Sequence, residues 1–279
     1  MNRLLMKDGT WKEFRQMEMM GIINVTPDSF YDASRNADTA SALETAERMI
    51  REGASFLDIG GESTRPGADP VTPKQEIDRV CPVIRELKAR HPQILLSVDT
   101  YHADTAEAAV EAGADLINDI SGLTFDPRMA DVAAEAGVPL ILMHTKGRPD
   151  VMQNDPAYED VVREVGDYFV RQMAFAESRG ILRERIMLDP GIGFGKTCVH
   201  NLALLQATEY FCGLGRPVLL AVSRKSFIGQ ILGEESPADR LYGTVAATLY
   251  GRAHGAVLAR VHDVKANLDA VRMMDVLES

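Results

Sequence analysis

The chain carries eight short apolar runs, and nearly every run ends in a residue able to bind a polar ligand. Segments with helical apolar spacing lie between the runs, which predicts alternating strands and helices. About eight such units close into a parallel barrel whose strand ends open on one face. The runs with their polar ends are Ile22–Ile23 with Asn24, Phe56–Leu57 with Asp58, Ile94–Val98 with Asp99, Leu116–Ile117 with Asn118, Leu140–Met143 with His144, Ile186–Leu188 with Asp189, Val218–Val222 with Ser223 to Lys225, and Val257–Ala259 with Arg260 and His262. The sequence therefore predicts an α/β fold, a (β/α)8 TIM barrel, with its polar residues at one mouth.

Length agrees with one barrel, because this fold needs roughly 250 residues and the chain has 279. Residues 1–18 contain the turn signal Asp8–Gly9 and are predicted to form a hairpin below the barrel, which then spans residues 19–279. Helices are predicted over 39–52, 73–90, 103–112, 127–136, 157–180, 199–211, 238–252 and 264–277. Three connections are long enough to form lids over the mouth, namely Thr26–Asp38, Ser63–Thr72 and Thr145–Pro156.

Composition and charge narrow the class of protein. The apolar runs are far shorter than the roughly 20 residues that span a bilayer, and Met1–Gly9 has no signal-type apolar stretch, so we expect a cytoplasmic protein without a membrane partner. The excess of 41 Asp+Glu over 30 Lys+Arg argues against a nucleic-acid surface. An anionic ligand would need a local cluster of cations. Arg224–Lys225 and Arg260–His262 provide candidates at the last two strand ends, where such barrels often bind phosphate.

The glycine-rich segment Asp189–Thr197 allows two interpretations. Its end, Gly195-Lys196-Thr197, resembles that of a nucleotide-binding Walker A loop, but Pro190 stands where the first glycine belongs. The better interpretation is a turn that brings the backbone and Phe194 close to a ligand while Asp189 faces inward.

Two carboxylates are expected at the mouth, and both need partners. Asp99 and Asp189 end strands where a closed barrel admits little water, and an unpaired buried carboxylate is unfavourable. Lys225 and Arg260 can compensate part of this charge. A heterocycle with a guanidine-like edge would suit Asp189, with Asn118 beside it as donor and acceptor. The alternative is that the two Asp residues are helix caps or structural ion pairs.

Two long segments, Met20–Phe30 and Asp58–Gly67, resemble the signatures of the dihydropteroate synthase family. Shorter matches follow in the family's order, at Ser97–Thr100, Asn118–Ile120, Leu142–His144, Leu188–Gly191, Ser223–Ser226 and Arg260–Asp263. The resemblance covers the chain from about Met19 onward. It departs after Phe30, where the family commonly has a polar residue and then Asp-Gly-Gly, whereas this chain has Tyr31-Asp32-Ala33-Ser34. Replacement of the glycines narrows the backbone angles open to this lid.

The resemblance implies a TIM barrel enzyme of folate biosynthesis, a sulfonamide target that joins 6-hydroxymethyl-7,8-dihydropterin diphosphate to p-aminobenzoate and releases diphosphate. Its implied pterin ligands are Asp99, Asn118, Asp189 and Lys225, with Met143 against the ring. Its implied diphosphate ligands are Arg260, Val261 and His262, with Asn24 acting through Mg2+. Its implied p-aminobenzoate contacts are Phe194, Lys225 and Ser226, under lids that carry Phe30, Thr64, Arg65 and Pro66. Asp99, Lys225, Arg260 and His262 would be the catalytic residues. The family is usually a homodimer formed through late helices, and the small residues of Gly243–Gly255 would permit close packing there.

Two other classes of protein remain open. A pterin-binding methyltransferase module would pass a methyl group to a corrinoid partner, and it would not need Arg65 or the segment Ser223–Ser226. A catalytically silent paralogue would be expected to lose at least one of Asp99, Lys225 or Arg260, and all three are present.

Overall fold

Eight parallel strands form a barrel in the computed structural model, which describes residues 2–25, 34–63, 71–148, 151–154 and 156–278, with side chains of the first helix described from residue 39. The hairpin strands are β1 (Arg3–Leu5) and β2 (Trp11–Glu13), and the barrel strands are β3 (Glu18–Asn24), β4 (Phe56–Gly60), β5 (Leu95–Asp99), β6 (Leu116–Asp119), β7 (Leu140–Met143), β8 (Ile186–Asp189), β9 (Leu219–Leu220) and β10 (Leu258–Val261). The order is β8-β7-β6-β5-β4-β3-β10-β9. A parallel bridge between Leu188 and Val218 joins the two ends. The predicted TIM barrel is confirmed.

The N-terminal hairpin packs against the bottom of the barrel. β1 and β2 are antiparallel, and the turn between them contains Gly9 at φ +82°, a left-handed conformation that favours glycine. Leu4, Met6 and Phe14 are buried with inward-facing residues of the barrel strands. The predicted hairpin is therefore confirmed, whereas the division of the chain into two units at residue 18 stays a prediction.

The interior of the barrel changes from apolar to polar along the strand direction. Side chains alternate between the two faces of a strand, and the first inward layer is apolar. It contains Met20, Phe56, Leu116, Ile141, Met187, Leu219 and Leu258. Outward-facing residues such as Leu57 and Ile117 form a larger core with the helices. Because the lower interior and the outer layer are both apolar, polar side chains concentrate at the carboxyl ends of the strands.

The helices surround the barrel. They are α1 (Ser34–Arg51), α2 (Pro73–Arg90), α3 (Ala103–Ala112), α4 (Met129–Ala136), α5 (Val161–Ser178), α6 (Cys198–Gln206), α7 (Thr208–Cys212), α8 (Ser226–Leu232), α9 (Leu241–Ala253) and α10 (Val264–Glu278). The bounds of α2 and α3 match the prediction. α2 begins with a reciprocal capping box between Thr72 and Gln75, and α3 ends at the left-handed Gly113, signals that the sequence displays directly. Within the described residues, no helix is long and apolar enough to cross a membrane.

Several predicted bounds were wrong. The predicted helix 199–211 is divided into α6 and α7, and the Thr208 hydroxyl near the division donates to the Leu205 carbonyl at 2.6 Å, a bond that competes with the helical pattern. α8 was not predicted, because its seven residues are too few to display helical periodicity. α1 begins at Ser34 and thus shortens the first predicted lid. The predicted strand 218–222 is reduced to β9.

The predicted lids are described only in part. Residues 26–33 and 64–70, which include most of the first two, lie outside the described residues. In the third connection, Gln153 donates from Nε2 to the Gly193 carbonyl at 2.9 Å. That connection therefore contacts the turn after β8.

Candidate active site

Arg260 joins carboxylates from two neighbouring strands at the mouth. Its Nε donates to Asp58 Oδ2 at 2.5 Å, and its Nη2 donates to Asp99 Oδ2 at 2.5 Å. Asn118 Nδ2 also donates to Asp58 Oδ2, at 2.9 Å. Strands β4, β5, β6 and β10 thus contribute to one hydrogen-bonded network. The sequence interpretation named Asp99, Asn118 and Arg260 as site residues but missed Asp58, although Asp58 ends an apolar run in the same way.

Burial perturbs the charges of this network. It raises the pKa of Asp99 to about 7, an effect that Arg260 opposes and Asp58 reinforces. Burial alone would lower the pKa of Arg260, but the Asp58 and Asp99 carboxylates outweigh it and raise that pKa above its usual value. Arg260 is therefore a permanent cation, whereas Asp99 can change its protonation state near neutral pH.

Three oxygens of the interior lack hydrogen-bond partners among the described residues. They are Asp58 Oδ1, Asn118 Oδ1 and Ser97 Oγ, and all three are buried. An unsatisfied buried polar group costs roughly 1–3 kcal/mol, so such atoms usually bind a ligand or an ordered water. The pocket consequently has an excess of acceptors and suits a ligand rich in N–H donors.

Asp189 lies at the end of β8 with only 3% of its surface exposed. Its Oδ1 accepts a hydrogen bond from the Gly191 backbone N–H at 2.8 Å. Burial raises its pKa, and the Lys225 ammonium opposes that shift. At the end of the neighbouring β7, Met143 is buried in an apolar cluster against which Phe194 packs. An acceptor and an apolar wall therefore lie side by side, as a flat polar heterocycle requires.

Lys225 lies immediately before α8 and contacts the turn that follows β8. Its Nζ donates to the Ile192 carbonyl and lies 4.7 Å from the centre of the Phe194 ring, within the range of a cation–π contact. Burial lowers the pKa of Lys225 to about 8, although Asp189 opposes the shift. Ser226 is exposed as the first residue of α8. Lys225 and Phe194 are thus brought together, and their roles toward p-aminobenzoate stay predictions.

Arg224 does not belong to the anion cluster that the sequence predicted, because it pairs with Asp263. Arg224 makes two hydrogen bonds to Asp263, at 2.9 and 2.7 Å, and so connects the loop before α8 to the start of α10. His262 remains at the mouth, where its Nδ1 lies 2.9 Å from Ser223 Oγ. The Val261 side chain is buried in the outer core, on the face opposite Arg260 and His262, so only its backbone faces the mouth. The groups that remain to bind an anion are Lys225, Arg260 and His262.

Asn24 is the one residue predicted to act through Mg2+. It is exposed at the end of β3. Within the described ranges, the three grouped side chains that could hold a metal ion are Glu62, Glu76 and His102. Glu76 Oε2 there accepts from the Thr100 hydroxyl at 2.8 Å and lies 3.0 Å from His102 Nδ1. The predicted contacts Phe30, Thr64, Arg65 and Pro66 lie outside the described residues.

The nucleotide-binding interpretation of the segment before α6 is wrong. A Walker A lysine must reach a phosphate, but Lys196 is buried and its Nζ donates to the carbonyls of Gly191 and Phe194, each at 2.9 Å. Gly191 and Gly193 have φ values of +66° and +88°. The segment is therefore a tight turn that brings Phe194 to the mouth, as the favoured interpretation of the sequence expected.

Comparisons with known proteins agree with this geometry. Residues 20–262 match the family model described as "Pterin binding enzyme". The chain is 46% identical over 259 residues to the dihydropteroate synthase of Bacillus subtilis, covering 93% of this chain and 88% of that one. The solved Xanthomonas albilineans dihydropteroate synthase with 4-aminobenzoic acid superposes with a TM-score of 0.91 at 42% identity, covering 100% and 98% of the two chains. A structure of the same enzyme with 7,8-dihydropteroate superposes with a TM-score of 0.88 at 40% identity, covering 99% of each chain. The chain belongs to the dihydropteroate synthase family.

Proposed function

We propose that this chain joins 6-hydroxymethyl-7,8-dihydropterin diphosphate to p-aminobenzoate, giving 7,8-dihydropteroate and diphosphate. The observation that carries the proposal is the set of inward-facing acceptors at the mouth, with Asp189 and the unpaired Asn118 Oδ1 beside the cations Lys225 and Arg260. Relatives with this activity match nearly the whole chain, and one was solved with the product.

The pterin is proposed to bind with its amino-pyrimidine edge facing Asp189. Asp189 would accept hydrogen bonds from the amino-pyrimidine edge through Oδ2, because its Oδ1 already accepts from the Gly191 N–H. Asn118 Oδ1 would accept from a neighbouring N–H, and Lys225 would donate to a ring acceptor. Met143 would cover one face of the ring, and Asp99 would face the carbon that reacts.

The diphosphate is proposed to bind at the ends of β9 and β10. Arg260 uses Nε and Nη2 for the two carboxylates, so Nη1 is the nitrogen that would reach an anion, together with His262 and the Val261 backbone. Mg2+ usually keeps several waters and takes few protein ligands besides phosphate oxygens. The single exposed amide oxygen of Asn24 fits such an ion, which when bound would neutralise charge on the leaving group.

p-Aminobenzoate is proposed to bind outside the pterin, against Phe194, Lys225 and Ser226. Phe30, Thr64, Arg65 and Pro66 would complete this pocket, a prediction carried over from the sequence. An arylamine is already a nucleophile and diphosphate is already a leaving group, so no covalent enzyme intermediate is required. Alignment of two bound reactants can contribute about 7–11 kcal/mol. The Asp99 carboxylate would stabilise positive charge that develops on the pterin methylene.

Diphosphate release, measured with and without p-aminobenzoate, tests the proposal. We expect release that requires p-aminobenzoate and is largely lost in Lys225→Met. Lys265→Met is the matched control, because Lys265 is an exposed lysine of α10 that pairs with Asp269. No release under either condition would favour the silent paralogue, and methyl transfer to a corrinoid protein would favour the methyltransferase.

A cytoplasmic location and a homodimer stay predictions from the sequence. The exposed side chains of Ile231 and Leu232 border an apolar groove of about 310 Å3 that α6, α8 and α9 form together, and this supports a dimer face. The small residues of α9 have another use, however. A Cβ at Gly243 would lie 2.3 Å from the Ile228 side chain, so this glycine packs α9 against α8 within the chain. Sedimentation velocity on the parent chain and on Ile231→Glu tests the dimer.

A further inference from the structure

The turn between β8 and α6, residues 191–195, is held by side chains at every carbonyl. The Gly191 and Phe194 carbonyls accept from Lys196, the Ile192 carbonyl from Lys225, the Gly193 carbonyl from Gln153 and the Gly195 carbonyl from Tyr158. A carbonyl that accepts such a bond cannot shift without breaking it. One backbone bond, from the Phe194 N–H to the Gly191 carbonyl at 3.1 Å, closes the turn itself. The side-chain donors fix its position relative to the elements around it.

Lys196 is the most deeply buried of these donors, with 4% of its surface exposed. Besides the two turn carbonyls, its Nζ lies 3.2 Å from the His144 carbonyl and 3.1 Å from His144 Nδ1. Burial lowers the pKa of His144 to about 2, so this imidazole is neutral. Within the described residues, no carboxylate makes a salt bridge with Lys196. The amine has at least two hydrogens in either protonation state, so it can serve both turn carbonyls throughout.

The same turn holds the Lys225 side chain. The Ile192 carbonyl accepts from Lys225 Nζ, and the Phe194 ring lies 4.7 Å from that nitrogen. The approach is close enough that a Cβ at Gly193 would lie 2.8 Å from Lys225 Cδ. Ile192 and Phe194 both lie within the span whose two ends Lys196 binds. Any displacement of the turn would therefore move the carbonyl and the ring together.

We propose that Lys196 is a positioning residue, whose buried amine connects the turn after β8 to the end of β7 and thereby sets where Ile192 and Phe194 hold Lys225. This inference rests on the proposed roles of Lys225 and Phe194 toward the two substrates. Lys196 does not touch either substrate. Its loss acts on the arylamine pocket, whose wall is the turn, more than on the pterin, whose main acceptor Asp189 belongs to β8.

Lys196→Met, which keeps length and apolar bulk but removes the donor, tests the proposal. We expect the KM for p-aminobenzoate to rise at least tenfold and the affinity for the pterin alcohol to fall by a smaller factor, because Lys225 is only one of the groups proposed to hold the pterin. Tyr158→Phe is the matched control, because it removes one bond to the same turn at Gly195, away from Lys225. The KM of Tyr158→Phe for p-aminobenzoate should stay within twofold of the parent value. A purely structural role of Lys196 would lower the amount of active enzyme and leave KM unchanged.

The alkaline limb of the pH profile of kcat/KM gives a second readout. Asp189 on β8, Arg260 on β10 and Asp99 on β5 face Lys225, whose pKa burial lowers to about 8. If the turn moves away, water reaches Lys225 and the limb shifts to higher pH in Lys196→Met but not in Tyr158→Phe. Unchanged KM and an unchanged limb in a folded Lys196→Met protein would overturn the inference. A parent chain that releases no diphosphate would instead overturn the proposed function.

Chemical rescue decides the case if Lys196→Met does not fold. Lys196→Ala is purified with ethylammonium, which can occupy the space of the lost amine, and KM is measured as the ammonium salt is diluted. A KM that rises at constant folded fraction supports the proposal. The inference is overturned if dilution of ethylammonium lowers the folded fraction but the KM of the remaining folded protein is the same at every ethylammonium concentration.

Discussion

Asp189→Asn is the substitution that tests the proposed pterin site most directly, because the structure determines how the new amide would lie. Asp189 Oδ1 accepts from the Gly191 N–H at 2.8 Å. An asparagine would keep its oxygen there, since the reverse orientation would set two donors against each other. Its NH2 group then takes the place of Oδ2, where the pterin edge presents N–H donors.

The magnitude follows from the two effects of that exchange. Loss of a hydrogen bond to a charged acceptor is worth about 1.5–3 kcal/mol, and a buried donor left without an acceptor adds roughly 1–3 kcal/mol. Because about 1.4 kcal/mol corresponds to a tenfold change in affinity, the pterin should bind about two to four orders of magnitude more weakly. The fold should persist, because burial already disfavours the charged form of Asp189.

Calorimetric titration with the pterin alcohol, together with thermal unfolding, measures both quantities. Asp119→Asn is the matched control. Asp119 is also fully buried, but its two oxygens accept from the backbone N–H groups of Ser121 and Leu123, at 2.8 and 2.7 Å. Its substitution should lower the free energy of unfolding and leave pterin affinity unchanged. Pterin affinity of Asp189→Asn within fivefold of the parent would refute the assignment of this carboxylate.

Three further predictions concern the anion site, the pH profile and the lids. His262→Ala should weaken the diphosphate substrate at least tenfold more than the pterin alcohol in calorimetry. Arg260→Ala should do the same and also lower stability by about 3–5 kcal/mol, because two carboxylates lose their buried partner, and equal losses for both ligands would contradict the assignment. Burial raises the pKa of Asp99 to about 7 and lowers the pKa of Lys225 to about 8, so kcat/KM should rise through the first value and fall through the second. Asp99→Asn should remove the acid limb, and a flat profile between pH 6 and 9 would exclude this pair. If the anion orders the two lids, as the sequence predicts, p-aminobenzoate should bind at least tenfold more tightly to protein holding pterin, Mg2+ and diphosphate than to protein holding pterin alone, whereas equal affinities would indicate a preformed pocket.

Local signals in the sequence were enough for the barrel and for most of its mouth. Side chains along a strand alternate between its two faces, so an apolar run that ends in a polar residue already indicates which side chain faces the barrel interior. Asp99, Asn118 and Asp189 could be assigned to one mouth on that basis, since parallel strands of a closed barrel end on the same face. Helical apolar spacing located α2 and α3 for the same reason, because that signal lies within the segment that it specifies.

The sequence suggested Arg260 as a partner for the carboxylates at the mouth, but only the tertiary structure decided the other pairs of charged groups. Arg260 binds Asp58, 202 residues away in the sequence, and Arg224 binds Asp263 rather than joining the anion cluster. The sequence gives no sign of either choice, because both depend on which side chains the closed barrel brings within hydrogen-bonding distance. The same holds for Lys196, whose sequence context resembles a phosphate loop but whose amine the fold buries among backbone carbonyls. A local pattern determines the face on which a side chain lies, whereas its partner is determined by packing between segments that are distant in the chain.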